Sequence, residues 1–197
     1  MPQSLEQHFS DLKRKIQEPD FLNQRGLSNE ISYYIFPYDA EDTLLLRRKL
    51  DELKTTSLAN QINLKFFDLY DIMINSIEKL ENIADDDPFK MIEEMEKNDG
   101  IEYMAQQINN LMEMDIEKNA IVKYIQSEIG KERKCVVFIT GIGKVFPIIR
   151  AHKVLNTMQQ VIDYVPVVMF YPGKYDELSL RIFNEAKDQN FYRAFPI

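Results

Sequence analysis

The glycine-rich segment Gly141-Ile142-Gly143-Lys144 is the first place in the chain where residue type and spacing suggest chemistry. A phosphate-binding loop needs the pattern G-x-x-x-x-G-K-[ST]. Phe138 stands where the first glycine of that pattern belongs, and Val145 stands where its Ser or Thr belongs. A dinucleotide-binding G-x-G-x-x-G pattern fails as well, because Phe146 replaces its last glycine. The segment therefore predicts a tight turn from strand to helix, with weak anion binding as the alternative.

Two aspartates, Asp39 and Asp68, each follow a predicted strand. In open α/β sheets the carboxyl ends of the parallel strands meet at one edge, and ligands bind there. Aspartate is also favoured at the start of a helix, because its carboxylate accepts a hydrogen bond from an amide of the first turn. Helix capping is the preferred interpretation of both residues, and ligand binding at the edge of the sheet is the second.

Residues that could act as nucleophiles or metal ligands are few. The single cysteine, Cys135, lies in an apolar run that is typical of a buried thiol, and one cysteine excludes a disulfide framework. His8 and His152 lie on predicted amphipathic helices without a second ligand at metal-binding spacing. A G-x-S-x-G elbow is absent from the sequence. We therefore expect no catalytic residue, no metal and no cofactor.

Acidic residues are concentrated between the second and third predicted strands. Asp85-Asp86-Asp87 precedes Glu93, Glu94 and Glu96, and several methionines lie in the same part of the chain. A solvated helix face is one interpretation of this charge. The other is a docking face for a basic protein partner, formed by the three glutamates, with methionines adding adaptable apolar contacts.

Composition and charge limit the class of partner. The chain has 197 residues and a net charge of -8. A surface of this sign repels phosphate backbones, so we expect no direct contact with nucleic acid. No stretch approaches the roughly 18 apolar residues of a membrane span, and the N-terminus lacks the features of a signal peptide. We therefore expect a cytoplasmic protein without membrane contact.

Hydrophobic periodicity predicts the order of the elements. Helices are predicted over residues 4–17, after Asp39, after Asp68, from Pro147 onward and over 177–187. Strands are predicted over residues 31–36, where Pro37 ends the strand, and over 64–67, 134–140, 165–170 and 191–195. Residues 72–130 show only helical stripes, which predicts three or four inserted helices between the second and third strands.

Strands with almost continuous apolar runs, separated by helices, are typical of a parallel sheet that is covered on both faces. The predicted fold class is therefore α/β: a three-layer domain with a mainly parallel sheet of four or five strands. We expect residues 1–197 to form a single domain that contains the helical insertion.

Three passages of the chain carry a family resemblance. The first runs from Phe36 to Asp42 and leads to Arg47-Arg48, and the second runs from Phe138 to Asn156. The third runs from Val168 to Tyr175, and residues 191–195 close it. In this order and spacing the passages resemble the BrxB family of bacteriophage exclusion (BREX) systems, over nearly the whole chain.

The resemblance implies a role in restricting phage. BREX systems mark host DNA by methylation and block replication of unmarked phage DNA. Family members are small proteins encoded beside a large ATPase, an adenine methyltransferase and an alkaline-phosphatase-like protein. The family has no established catalytic residues, so none is transferred to this chain. The candidates for an interaction or ligand surface are Asp39, Asp68, Gly141, Gly143, Lys144, Arg150, His152, Tyr171, Tyr175 and Arg193.

Two functions from different classes follow. The first is a non-catalytic adaptor that binds other BREX proteins, preferably the alkaline-phosphatase-like component, with a homodimer as a further arrangement. The alternative is a nucleotide- or phosphate-binding domain that acts as a regulatory or weakly hydrolytic subunit. It would use the glycine turn with Lys144, joined by Asp39, Asp68 and Arg150. Direct DNA binding inside a larger complex is a third hypothesis, which the acidic charge opposes.

Overall fold

A five-stranded parallel sheet forms the centre of the protein. The computed structural model describes residues 4–22, 33–56, 61–79, 87–130, 135–175, 180–183, 186–188 and 194–197. Its strands are β1 (Tyr33–Tyr38), β2 (Leu64–Asp68), β3 (Val136–Thr140), β4 (Val167–Tyr175), β5 (Leu180–Ile182), β6 (Ala186–Asp188) and β7 (Ala194–Pro196). The parallel strands follow the order β2-β3-β4-β1-β7, and β5 with β6 extends β4 in antiparallel fashion. The predicted α/β class with a mainly parallel sheet is confirmed.

Helices connect the strands. They are α1 (Leu5–Lys15), α2 (Pro19–Leu22), α3 (Thr43–Lys54), α4 (Leu69–Glu78), α5 (Pro88–Asp99), α6 (Ile101–Leu111), α7 (Ala120–Ile129), α8 (Ile142–Val145) and α9 (Ala151–Val161). Ser4 and Asp87 cap α1 and α5 through their side chains, as their positions predict. Helices α5 to α7 confirm the predicted insertion. Within the described ranges, no helix has the length and apolar character that a membrane span requires.

Side chains of β1 to β4 alternate between the two faces of the sheet. The even-numbered residues pack with α1 and α3, and those in the buried core are Phe36, Leu64, Val136, Phe138, Val168 and Phe170. The odd-numbered residues pack with α4, α7 and α9, and they include Ile35, Phe67, Val137, Ile139, Val167 and Met169. Because helices cover both faces, the predicted three-layer arrangement is confirmed.

A row of four phenylalanines crosses the even-numbered face. In strand order β2, β3, β4 and β1, these are Phe66, Phe138, Phe170 and Phe36. Successive ring centroids lie 5.2, 5.1 and 5.2 Å apart, within the range of favourable aromatic pairs. A slip of one residue would turn any of these rings to the other face. The row, called the phenylalanine row below, therefore helps to hold the register of the four strands.

The end of β1 differs from the prediction in two respects. The strand does not end at Pro37 but continues to Tyr38. Strand β7 pairs only with Tyr33–Ile35, so that side of β1 is open at Pro37, where a proline is tolerated. Asp39 is followed by a 3-10 turn, Ala40–Asp42, and its side chain makes no capping bond. Helix α3 starts only at Thr43, so the predicted capping role of Asp39 is wrong.

Two predicted helices also need correction. The helix expected from Pro147 begins at Ala151. The helix expected over 177–187 is wrong, because β5 and β6 occupy this region. Leu180 and Ile182 are buried while Arg181 is exposed, which is the period of two of a strand. The predicted last strand is present as β7, although residues 189–193, like 31 and 32 before β1, lie outside the described residues.

The insertion is tied to the rest of the core by Asn119. Among the described residues this is the only polar one that is buried, with no exposed surface. Its side-chain oxygen accepts a hydrogen bond from the Val122 amide at 3.0 Å, which caps α7. Its side-chain amide donates to Thr157 Oγ1 on α9 at 3.0 Å. Since both ends of the side chain have partners, its burial is offset by hydrogen bonds.

We expect Asn119→Ala to lower the free energy of unfolding by about 1–3 kcal/mol, because it removes a cap and leaves buried groups unpaired. Urea denaturation measures the change. The matched control is Asn75→Ala on the exposed side of α4, which should stay within about 0.5 kcal/mol of the wild type. Equal losses for the two variants would contradict the role given to Asn119.

Candidate functional site

A cleft opens at the carboxyl edge of the sheet, directly beyond the phenylalanine row. In each of β1 to β4, the residue two places after the phenylalanine lies on the same face. These residues are Tyr38, Asp68, Thr140 and Pro172, and all of them line the cleft. Its volume is about 290 Å³. At this edge, a phenol, a carboxylate and a hydroxyl therefore follow the apolar row. We call the cleft the edge cleft.

Helix α3 forms a wall of the edge cleft. Leu50 packs toward the sheet, while Arg47, Asp51 and Lys54 follow one another on a neighbouring stripe of the helix. Lys54 Nζ lies 3.1 Å from Asp51 Oδ1 and 5.3 Å from the centre of the Phe66 ring. Arg47 forms no ion pair with any described residue. Helix α3 therefore brings two cations and one carboxylate to the cleft.

Asp68 combines the two roles predicted for it. Its Oδ1 accepts a hydrogen bond from the Tyr70 amide at 3.0 Å, so the predicted capping of α4 is confirmed. Its Oδ2 lies 2.6 Å from Lys144 Nζ, which belongs to the glycine turn. A partly exposed pair of this kind contributes at most about 1 kcal/mol to stability. Its main consequence is positional, because it holds the lysine at the cleft.

Gly141 makes the approach of Asp68 possible. Its φ is +80°, and a Cβ at this position would overlap Asp68 Oδ1 and lie 2.8 Å from Asp68 Cγ. Glycine meets both conditions, because it has no Cβ and adopts positive φ freely. The chain then makes α8, a single helical turn where the sequence predicts a loop. Since α8 has only four residues, attraction of an anion to this cleft must come from side chains.

Tyr38 supplies a protonated hydroxyl. Burial raises the pKa of Tyr38 above its ordinary value of 10.0. A hydrogen bond with Thr43 opposes this shift, Asp68 adds to it, and Arg47 opposes it. At neutral pH the phenol therefore keeps its proton and can donate a hydrogen bond to a ligand.

The edge cleft combines charge with apolar surface. Arg47, Lys54 and Lys144 face two carboxylates, Asp51 and Asp68, so cations exceed carboxylates by one. The apolar lining comes mainly from Leu46, Leu50, Phe66, Phe170 and Phe183. Among the described residues, the lining contains no histidine, cysteine or serine to act as a nucleophile and base, and no cluster of potential metal ligands occurs. The lining therefore combines the cations and the apolar surface that an organic anion would contact.

The structure gathers only some of the residues predicted from the sequence. Asp68, Gly141, Gly143 and Lys144 meet in the edge cleft. Asp39 and Tyr175 instead line a neighbouring depression of about 470 Å³, together with Lys174 and Arg181. The Tyr175 hydroxyl donates a hydrogen bond to the carbonyl of Ala194 at 2.6 Å, so it joins β4 to β7.

The remaining candidates lie elsewhere. Arg150 lines a third depression beside α6, with Asn109 and Ile148. Tyr171 is buried in β4 and belongs to the core on the odd-numbered face. His152 is half-buried on α9 and is absent from the lining of the edge cleft. Arg193 lies outside the described residues.

Cys135 and His8 contribute to packing, as their positions in the sequence predict. The Cys135 side chain is 2% exposed, next to β3. The ring of His8 stacks on Phe36 with centroids 4.0 Å apart, and its Nε2 contacts the carbonyl oxygen of Ile197. This contact brings the last residue of the chain to α1.

Sequence reasoning missed the part of the cleft that α3 supplies. Tyr38, Thr43, Arg47 and Lys54 were not candidates, yet all of them line it. A signal was present: Arg47 and Lys54 are seven residues apart and each follows a leucine of the buried stripe. Residues with this spacing share one side of a helix. Without the strand order, however, nothing in the sequence shows that this side faces Asp68 and Lys144.

Helix α5 carries the predicted acidic docking face. Glu93, Glu94 and Glu96 are all exposed. Lys97 Nζ lies 2.6 Å from Glu93 Oε1, and this hydrogen bond and charge lower the pKa of Glu93. Glu94 and Glu96 form no ion pair with any described residue. They point roughly 160° apart around the helix axis, so the three glutamates do not share one narrow face. Asp85 and Asp86 lie outside the described residues.

Comparison with known proteins points to one family. Residues 65–197 match the family model described as BrxB, BREX protein BrxB. A BREX protein BrxB of Bacillus cereus (strain H3081.97) is 34% identical over 197 residues, covering 98% of this chain and 97% of the relative. A BREX protein BrxB of Escherichia coli O9:H4 (strain HS) is 27% identical over 191 residues, covering 97% and 90%. No solved structure matches the chain.

We expect Gly141→Ala to destabilise the protein by more than the roughly 1–2 kcal/mol that left-handed backbone costs an alanine, because its Cβ also displaces the Asp68 carboxylate. In an Asp68→Ala background the overlap with the carboxylate is gone. The loss caused by Gly141→Ala should then fall to about 1–2 kcal/mol. Denaturation of the four proteins of this double-mutant cycle measures the coupling.

Gly130→Ala is the matched control for this cycle. Gly130 also has positive φ, but nothing lies within 4 Å of a Cβ built there. Its cost should therefore be the same with and without the Asp68 carboxylate. A cost of Gly141→Ala that is equal in both backgrounds would refute the proposed contact.

Proposed function

The chain belongs to the BrxB family of BREX proteins, and we propose that it acts as a non-catalytic adaptor that binds a larger enzyme of the same phage-defence system. The observation that supports this is the pair of helices α5 and α6, which expose both apolar and acidic side chains. We call this pair of helices the insertion hairpin.

Large apolar side chains are unusually exposed on the insertion hairpin. Phe89, Met91, Ile101 and Tyr103 are exposed by 37%, 38%, 38% and 45%. They are four of the nine exposed large apolar side chains among the described residues, although the hairpin spans only residues 88–111. Apolar patches on a soluble protein mark interaction sites, and aromatic residues and Met are enriched at the centres of interfaces.

Helix α5 buries little of its own surface against the core. Pro88 is its only buried residue, and Ile92 and Met95 pack partly buried against the core. A helix of 12 residues is marginal in water unless it packs on something. A partner that covers its outer side would therefore stabilise it, which is expected of a docking element and not of a purely structural one.

The charge of the hairpin indicates the chemistry of the partner. Glu94 and Glu96, which form no ion pair with any described residue, add negative charge to the helix that also exposes Phe89 and Met91, on a protein with a net charge of -8. The complementary surface is apolar at its centre and rich in Lys and Arg around it. Of the BREX components, the alkaline-phosphatase-like protein is the preferred partner. A stable contact buries about 800 Å² on each protein, which a chain of this size can supply.

Co-expression with each BREX component in turn, followed by affinity capture and light scattering, tests the adaptor proposal. The expected result is a stoichiometric complex with one component, the alkaline-phosphatase-like protein. If the protein elutes alone from every co-expression, the adaptor proposal is wrong. A complex with a different component alone would overturn the choice of partner and keep the adaptor role.

Reversing charge at Glu93, Glu94 and Glu96 to Lys should weaken this complex by at least about tenfold, because like charges would then face each other across the interface. Calorimetric titration measures the affinity, and thermal melting checks that the variant stays folded. Glu93→Lys with Glu96→Lys, compared with Glu94→Lys alone, shows which side of α5 faces the partner.

The control is a triple reversal elsewhere, at Glu78, Glu117 and Glu128, which are exposed and change the net charge by the same amount. This variant should bind like the wild type. If both triple variants weaken binding equally, net charge and not the hairpin governs the affinity. Undiminished binding of the hairpin variant would remove α5 from the interface.

A further inference from the structure

From the geometry of the edge cleft we infer that the protein binds a mononucleotide there. The phosphate lies against Arg47, Lys54 and Lys144, and the base lies on the apolar surface formed by Phe66 and Phe183. This ligand site goes beyond the adaptor role and does not depend on it, because the insertion hairpin contributes nothing to the lining.

Convergence of cations from two separate elements is the first reason. Arg47 and Lys54 come from α3, whereas Lys144 comes from the turn after β3. Lys54 and Lys144 are paired with Asp51 and Asp68, so the lining carries an excess of one cation on a chain with eight more carboxylates than cations. Arg47 has no carboxylate partner among the described residues, and its planar guanidinium suits bidentate contact with a phosphate.

The floor of the cleft is the second reason. Phe66 and Phe170 line it from the sheet, and Phe183 lines it beside Gly143. Phe66 is only partly buried, although the other three members of the phenylalanine row are at most 1% exposed. Phe183 and Phe66, whose ring centre lies 5.3 Å from Lys54 Nζ, are therefore the rings that a base can contact. Aromatic rings bind the flat face of a base, whichever base it is. Inorganic phosphate alone would leave this apolar surface unused.

The two carboxylates fit the sugar and base rather than the phosphate. Asp51 and Asp68 are acceptors, and ribose hydroxyls and exocyclic amines are donors. Tyr38 and Thr43 add hydroxyl groups to the lining. One ligand that is anionic at one end and rich in donors at the other satisfies both kinds of group.

The size and position of the edge cleft favour a small ligand over a polymer. The volume of about 290 Å³ is at the lower end of ligand sites, which span roughly 300–1,000 Å³. The cleft also lies outside the carboxyl ends of parallel strands, where open α/β sheets bind nucleotides. The acidic charge of the whole chain disfavours long nucleic acid at the same place.

Calorimetric titration of the full chain with AMP, GMP, CMP and UMP tests the inference, with inorganic phosphate and adenosine as separate probes. Saturable binding of at least one nucleotide, at least about tenfold tighter than either partial probe, is expected, because only the nucleotide reaches cations and floor together. At five times its dissociation constant, this nucleotide should raise Tm by about 2–4 °C.

Variants of the residues that line the cleft test where the ligand binds. Arg47→Ala and Lys144→Ala should each weaken nucleotide binding by about tenfold, through loss of a charge-assisted contact. Arg48→Ala is the matched control, since Arg48 is the exposed neighbour of Arg47 on the same helix and does not line the cleft. Phe66→Leu keeps apolar volume but removes the ring, so it should weaken nucleotide binding and leave inorganic phosphate unaffected.

Three results would overturn the inference. The first is no binding of any of the four nucleotides at millimolar concentration. The second is inorganic phosphate binding as tightly as the best nucleotide, which would leave the base without a role. The third is equal weakening by Arg47→Ala and Arg48→Ala, which would move the ligand away from the edge cleft. None of these outcomes bears on the complex with the BREX enzyme, so the two proposals fail separately.

Discussion

The phenylalanine row is the contact on which the rest of the structure depends. Parallel strands have no hairpin turn to set their register, so side-chain packing between neighbouring strands must do so. Here β2, β3, β4 and β1 each place one ring in the same row, with successive centroids about 5 Å apart. Every residue two places later then lies on the same face at the same edge. Tyr38, Asp68, Thr140 and Pro172 come together for this reason.

The edge cleft therefore results from the register of the strands and from one requirement on the backbone, at position 141. Once Asp68 lies beside the end of β3, its carboxylate occupies the space that a side chain at position 141 would need. Glycine at 141 is the solution, and the turn that it permits brings Lys144 back to Asp68. The glycine-x-glycine-lysine pattern thus arises from packing against an aspartate and not from a phosphate loop. This explains why it matches no nucleotide-binding motif although it lines a cleft.

The sequence predicts those features of the structure that local interactions determine, and it misses those that depend on residues distant in the chain. Local signals were sufficient for β1 to β4 and β7, for the cap at Asp68, and for the turn at Gly141. They failed where pairing with a neighbouring strand decides the structure. Pro37 stays in β1 because β7 stops short of it, and residues 180–182 and 186–188 form strands because β5 pairs with the end of β4 and β6 pairs with β5. The contribution of α3 to the edge cleft could not be predicted, because the strand order determines which residues Arg47 and Lys54 face. In that order β3 lies between β2 and β4, and β1 lies on the far side of β4, whereas α3 follows β1 in the chain.

The two proposed surfaces lie on opposite sides of the sheet. The edge cleft is on the even-numbered face under α3, whereas the insertion hairpin belongs with the helices of the odd-numbered face. A nucleotide and a protein partner therefore do not compete for space. Helix α4 links the two surfaces directly: Asp68 caps its first turn from within the cleft, and its body packs on α5 and α6. A ligand that engages Asp68 acts on the helix that supports the hairpin, so any coupling between the two sites has α4 as its shortest path.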